Sequence, residues 1–462
     1  MTREFDVIVV GAGPAGEVCA GRLGASGVSV ALIERELVGG ECSYYACMPS
    51  KALLRPAQAL AEARRVPGAA EAAQAELDVA AVLRRRDEVV HELDDSAQLP
   101  WLEEHKVTLV RGDGKLVGER EVRVGEELLR ARRAVVLAPG SGAAIPPIPG
   151  LREAEPWTNR EATTASAIPA SLLILGGGVV GVEMAQAYAS LGARVTVVEA
   201  ATRLIGGEEE FASELVREAL ERAGVRVALG VKAVAVERDI SDGVRGPVTL
   251  KLEDGRSFTG DELLAAVGRR PHTDALGLES LGLEPGRPVE VDETLRVAGN
   301  EWLYVVGDAN GRVLLTHMGK YQARLVADRI LGRTDRDLAL RSDGRSSPRV
   351  IFTEPQVAAV GFTLAGAREE GLNVRAVDVG TGANAGGSFV GKDAPGTARI
   401  VVDEDRGVIV GATFTGVEVA ESLHAATIAL IGEVPLERLW HAVPCFPTRS
   451  EVWLNLLEGY GL

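Results

Sequence analysis

Residues 5–10 read FDVIVV, an apolar run without the alternation of a half-exposed strand, and predict a strand covered on both faces of a parallel sheet. The run stops at GAGPAG. The stretch EVCAGRLGASG then predicts a helix, and VSVALIE predicts a second strand ending at Glu34. The same order returns at residues 171–200, SLLILGGGVVGVEMAQAYASLGARVTVVEA, where the second strand ends at Glu199. Gly11 precedes Glu34 by 23 residues, and Gly176 precedes Glu199 by the same 23, so one unit is present twice.

Each copy has a physical use. Gly11, Gly13 and Gly16, and again Gly176, Gly178 and Gly181, follow the GxGxxG pattern. Such glycines allow a tight turn and a close backbone approach, and they aim a helix N-terminus at a pyrophosphate. Glu34 and Glu199 stand where a carboxylate accepts hydrogen bonds from ribose hydroxyls. Two dinucleotide sites in one chain imply electron transfer between two cofactors, FAD and a nicotinamide dinucleotide being the natural pair. Glu199 favours NAD(H), because a carboxylate there repels the 2′-phosphate of NADP. Arg203 lies nearby and leaves NADP as the lesser alternative.

Length and composition narrow the class. A chain of 462 residues exceeds one ordinary core and implies about three domains. The net charge of −16 disfavours nucleic acid as a partner. No apolar run reaches the length of a membrane span, and MTREFDVIVVGAG lacks signal-peptide form. Four cysteines are too few for a secreted disulfide framework. A cytoplasmic location is therefore expected, with no membrane span.

Two of those cysteines sit in VGGECSYYACMPSK, residues 38–51. A regular helix would separate Cys42 and Cys47 by about 7.5 Å along its axis, beyond the roughly 4.4–6.8 Å between Cα atoms of a disulfide. A bond between them thus requires an irregular turn, which Gly39, Gly40 and Pro49 make plausible. A thiolate at a helix N-terminus would also suit thiol exchange. A metal site is the weaker alternative, since C-x4-C supplies two ligands and the six histidines are scattered. An inert buried pair is the other. No metal ligands are assigned.

The segment resembles the GG-x-C-x4-C-x-P-[ST]-K redox signature of the pyridine nucleotide–disulfide oxidoreductases, the family of dihydrolipoamide dehydrogenase, glutathione reductase and mercuric reductase. The likeness extends over essentially the whole chain. AVVLAPGSGAAIPPIPG (134–150) resembles the crossover between the FAD and NAD domains, and AAVGRRPHT (265–273) the strand returning from the NAD domain. YVVGDANG (304–311) resembles the second FAD motif, and PRVIFTEPQVAAVGFT (348–363) the start of the dimerisation domain. The resemblance implies an α/β fold: two Rossmann-like dinucleotide-binding domains and an α+β C-terminal dimerisation domain in a homodimer. Its divisions would be an FAD domain at 1–145, an NAD domain at 146–270, a central segment at 271–345 completing the FAD side, and an interface domain at 346–462.

It also implies roles. Hydride would pass from NADH to FAD and on to a Cys42–Cys47 disulfide, with Cys47 against the flavin and Cys42 meeting the substrate. Lys51 would approach the flavin and pair with Glu183. Cofactor contacts would include Gly114, Gly140, Ser141, Asp308, His317 and Gly268 beside the two glycine motifs, Glu34, Glu199 and Lys51. Glu451 would be the glutamate of the family's terminal His-Pro-Thr-x-Ser-Glu motif, which the partner subunit contributes.

That motif departs here. HAVPCFPTRSEVWLNLLE keeps Pro447, Thr448, Ser450 and Glu451 but has Phe446 where the proton-shuttling histidine stands. His441 is a possible substitute, and Cys445 is read first as a small buried residue and second as an interface thiol. In the redox signature Glu41 replaces threonine and Tyr44–Tyr45 replace Asn-Val; the tyrosines form either a flat wall for an aromatic acceptor or packing. Residues 57–98 are expected to be helices with a solvated charged face. The acceptor is expected to be a small-molecule disulfide, lipoamide by family default, with quinones or metal ions as the alternative that needs less proton shuttling. Mercury is disfavoured because the chain ends LLEGYGL without a cysteine pair. A low-turnover flavin redox sensor is the remaining alternative.

Overall fold

The structure, a computed structural model, describes residues 2–241 and 244–462. The chain divides into two compact units. The first comprises residues up to Pro49, Asp87–Ala143 and Arg269–Gly344; the second comprises Ser50–Arg86, Ala144–Gly268 and Arg345–Leu462.

In the first unit β1 (Thr2–Val10), helix α1 (Pro14–Ala25) and β2 (Val30–Glu34) follow in order. A helical turn α2 (Gly40–Tyr44) and helix α3 (Cys47–Arg65) come next, α3 passing into the second unit. The sheet continues with β3 (Val107–Arg111), β4 (Gly114–Gly118), β5 (Glu121–Val124) and β6 (Glu127–Leu137) in the order β3-β2-β1-β6-β5-β4. Leu303–Val305 pairs parallel with β6, Leu303 opposite Val135. The apolar run of β1 is covered on both sides as its pattern predicts: Val7 and Val9 lie in one core with Leu23 and Val326, Ile8 in another with Leu129 and Leu303.

The second unit repeats the plan. Its four-stranded parallel sheet runs Arg226–Leu229, Arg194–Glu199, Ser171–Leu175, Glu262–Ala265. Both sheets thus place their third, second, first and a late strand side by side, so the sequence duplication is a duplication of topology. A three-stranded antiparallel sheet (Ala233–Ser241, Val244–Leu252, Ser257–Gly260) belongs to the same unit. The chain ends in a five-stranded antiparallel sheet packed by the helices Leu423–Ile431 and Val452–Tyr460. The fold is therefore mixed α/β, with two Rossmann-like units and an α+β C-terminal part.

The region 57–98 is helical to Arg65 and again over Val79–Val89. Its charged face is not wholly solvated. Arg86 is buried and donates to the carbonyls of Thr163 at 2.6 Å and Ala165 at 2.9 Å, because the carbonyls around the end of helix Asn159–Thr164 need donors. Among the described residues no helix is long and apolar enough to cross a membrane.

Candidate active site

The two glycine turns are built alike. Gly11 has φ +101° and Gly176 φ +109°, conformations that L side chains rarely adopt. A Cβ on Gly16 would lie 1.8 Å from Gly11 O, and one on Gly181 would lie 2.0 Å from Gly176 O, so these two glycines let helix and turn close. Gly13 and Gly178 differ. Each caps its helix without a side-chain cap, and nothing lies within 4 Å of a Cβ built there. A side chain at either position would enter open space, so packing does not explain these two glycines, and room beside a helix N-terminus fits the pyrophosphate of a dinucleotide. Both acids also lie at their turns. Glu34 accepts from Ala12 N at 2.8 Å and Glu36 N at 2.7 Å; Glu199 accepts from Gly177 N at 2.5 Å and Ala201 N at 2.7 Å.

Between Cys42 and Cys47 the helix breaks. Tyr45, with φ −131° and ψ 0°, ends α2, and Cys47 is the first residue of α3. The break brings the sulfurs together as free thiols in hydrogen-bond contact. That contact, then burial, then the charge of Cys47 push the Cys42 thiol far above the ordinary range; Thr316 and Lys320 act in the opposite sense. A charge on Cys47 therefore disfavours a second charge on Cys42. Cys47 Sγ lies 3.5 Å from Thr316 Oγ1, at the start of the helix Thr316–Ile330.

Lys51 stands one helical turn beyond Cys47 on α3. Its Nζ is 2.8 Å from Glu183 Oε2 and 4.7 Å from the centre of the Phe352 ring. Glu183 is buried and also accepts from Phe352 N at 2.9 Å. In the first unit Ser141 is buried and donates to Asp308 Oδ2 at 2.5 Å. Arg269 donates to Ser141 Oγ at 2.7 Å and lies 3.8 Å from Asp308 and 3.9 Å from Glu41. Gly114 lies on β4 against Val10 and Ile33, Gly140 and Gly268 take positive φ, and His317 is exposed in the first turn of its helix.

The sequence reading missed Arg269, which lies against Ser141 and Asp308, and Thr316, which lies against Cys47. Only Arg269 had a local signal, in GRRP. Tyr44 is buried and tilted 57° from Tyr45, so the pair forms no flat wall and Tyr44 is packing. Phe446 is 77 % exposed. His441 is exposed as well, and Cys445 is exposed rather than buried. Among the described residues, Glu451 Oε2 is buried without a hydrogen-bond partner.

Among known proteins, the family model "Pyridine nucleotide-disulphide oxidoreductase" matches residues 5–323, and the dimerisation-domain model of the same family matches 347–457. Dihydrolipoyl dehydrogenase of Rhizobium etli is 30% identical over 100% of this chain and 99% of its own length. Mercuric reductase of Staphylococcus aureus is 27% identical over 97% of this chain and 81% of its own. Among solved structures, the HOCl-induced flavoprotein disulfide reductase RclA from Escherichia coli, as its Cu(II) complex, superposes with TM-score 0.85 at 24% identity over 99% of both chains. LpdA from Mycobacterium tuberculosis does so with TM-score 0.85 at 23% identity over 99% of this chain and 100% of its own. At these identities the two structures bear on the fold.

Proposed function

The chain belongs to the pyridine nucleotide–disulphide oxidoreductase family, and on that premise we propose that it is an NADH-preferring, dihydrolipoamide dehydrogenase-like enzyme working as a homodimer in the cytoplasm. The family's cofactors are FAD and a pyridine nucleotide, and the chain carries the family's dimerisation domain. The observation that carries the substrate reading is the contact between Cys42 and Cys47, made by the break between α2 and α3. When bound, FAD supplies two-electron transfer between the nicotinamide and the cysteine pair.

The chain's own residues do the rest. FAD would be held by Gly11, Gly13, Gly16, Glu34, Lys51, Gly114, Gly140, Ser141, Asp308 and His317. The nicotinamide nucleotide would be held by Gly176, Gly178, Gly181, Glu199 and Gly268. NAD is favoured because Glu199 faces its own turn as an acceptor. Arg203 is engaged with the carbonyls of Glu208 and Gly206, both at 2.7 Å, and so is tied away from a 2′-phosphate. Lys51, held by Glu183, carries its positive charge four residues after Cys47 on α3. Cys47 holds negative charge, Cys42 holds the proton, and Cys42 is the thiol offered to a disulfide. We assign residues 1–145 and 271–345 to the FAD side, 146–270 to the nicotinamide side and 346–462 to the subunit interface, which brings Glu451 to the partner's thiols.

A second reading, reduction of a quinone or metal ion, is favoured by Phe446, which cannot carry a proton. NADH oxidation with lipoamide and a simple quinone as acceptors under identical conditions separates the two. Fast lipoamide turnover is expected. Slow lipoamide turnover with fast quinone reduction would replace the first reading by the second.

A further inference from the structure

Lys51, Gln58 and Arg65 follow one another at intervals of seven residues along α3, which puts them on one face of that helix. All three reach one short segment of the second unit, Phe352–Glu354. Lys51 Nζ lies 4.7 Å from the centre of the Phe352 ring, Gln58 Nε2 donates to Phe352 O at 2.7 Å, and Arg65 pairs with the Glu354 carboxylate. The helix Val179–Ser190 holds the same segment. Glu183 Oε1 accepts from Phe352 N at 2.9 Å, while Gln186 accepts from Glu354 N at 2.6 Å and donates to Glu354 O at 2.9 Å.

The segment lies between the strands Arg349–Ile351 and Gln356–Gly361 and outside their ladder. The backbone groups of Phe352 and Glu354 therefore need other partners, and the side chains of Gln58, Glu183 and Gln186 supply them. A cavity of about 350 Å³ adjoins it, with Gln58, Gln186, Glu354 and Pro355 among its lining residues. The segment thus has room to move on that side, and hydrogen bonds rather than close packing hold it there. Glu183 divides its carboxylate between this segment and Lys51: Oε1 takes Phe352 N, and Oε2 takes Lys51 Nζ at 2.8 Å. A shift of Phe352 turns that carboxylate and carries the ammonium with it.

We propose that Gln58 and Gln186 are positioning residues: by fixing Phe352 and Glu354 they keep Glu183 turned towards Lys51, and so set where the Lys51 ammonium stands. The inference rests on the reading that places Lys51 beside the flavin. Gln186 carries the larger share, because its one amide holds both the N–H and the carbonyl of Glu354, which only a group that accepts and donates at once can do.

The test is acetylation of Lys51 by acetic anhydride in the holoenzyme, read by site-resolved mass spectrometry against the exposed Lys115, together with the limiting rate of flavin reduction at saturating NADH. Gln186→Leu is expected to raise Lys51 acetylation roughly tenfold relative to Lys115 and to slow flavin reduction about tenfold. Gln58→Leu, which removes one hydrogen bond rather than two, has a smaller effect of the same sign. Gln186→Glu separates positioning from bulk stability. Its protonated carboxyl offers the same donor and acceptor as the amide, and its carboxylate offers acceptors only. Relative to wild type at each pH, its Lys51 acetylation should return to normal as pH falls, and that of Gln186→Leu should not. Unchanged Lys51 acetylation in Gln186→Leu overturns the inference, as does a pH-independent ratio in Gln186→Glu should the leucine variant fail to fold. Raised Lys51 acetylation with a wild-type rate of flavin reduction removes the reading of Lys51 and leaves the positioning standing.

Discussion

Lys51 Nζ lies 2.8 Å from Glu183 Oε2, a bond that joins α3 to the helix of the second glycine motif, Val179–Ser190, inside the second unit. The two ends differ: 34% of the Lys51 side chain is exposed but only 4% of Glu183. Removing the lysine therefore leaves a buried carboxylate with the Phe352 N–H, whereas removing the acid's charge leaves a lysine that can reach water. Lys51→Met should cost about 2–3 kcal/mol, and Glu183→Gln about 1 kcal/mol, after allowing for the exposed lysine. Urea unfolding midpoints check this; a larger loss in Glu183→Gln would show that the acid is not the vulnerable partner.

Contact with Cys47, then burial, hold the Cys42 thiol far above the ordinary range, and the proposed mechanism makes Cys47 the thiolate against the flavin. Anaerobic NADH should then give long-wavelength thiolate-to-flavin absorbance that Cys42→Ser retains and Cys47→Ser loses. A band that survives in Cys47→Ser sinks the assignment.

Glu17 sets a pH dependence of stability. Its carboxyl is raised in the folded protein from the ordinary 4.5 to about 7. Between those values the native state binds more protons than the unfolded chain, so stability falls as pH rises through that window. The melting temperature of Glu17→Gln relative to wild type should accordingly be higher at pH 8 than at pH 5. A difference that does not change with pH would mean that burial does not perturb Glu17.

What the sequence made legible was local. The two glycine motifs with their acids, the cysteine pair and the need for an irregular turn between its members are all written within short windows, because strand, turn and helix each leave a periodic or compositional trace. The contact of α1 with the helix Thr316–Ile330 leaves none. Ala15 and Gly319, small residues some 300 positions apart, let the two helices touch, and a close helix contact has no signature on either helix. Arg86 is similar: within a charged helix nothing distinguishes the arginine that finds two carbonyls from those that find water.

The glycines of one motif should fail differently. A Cβ at Gly181 meets Gly176 O at 2.0 Å, whereas Gly178 has φ −76° and open space ahead. Gly181→Ala should cost about 1–3 kcal/mol of stability through overpacking. Gly178→Ala should leave the melting temperature unchanged and raise KM for NADH about tenfold by filling the pyrophosphate slot. A Gly178→Ala enzyme with wild-type KM would remove Gly178 from the nucleotide contacts.

Restoring the imidazole tests how the chain manages without it. Among the described residues Glu451 Oε2 has no hydrogen-bond partner, five residues after the exposed ring of Phe446, and the proposed role of Glu451 is to orient an imidazole at that position. Phe446→His should raise lipoamide exchange. The gain should approach the roughly 10²-fold typical of a positioned acid–base group. Exchange rates of the two proteins with lipoamide decide the matter. No gain, with folding intact, would mean that the acceptor is not a disulfide or that the proton takes another route.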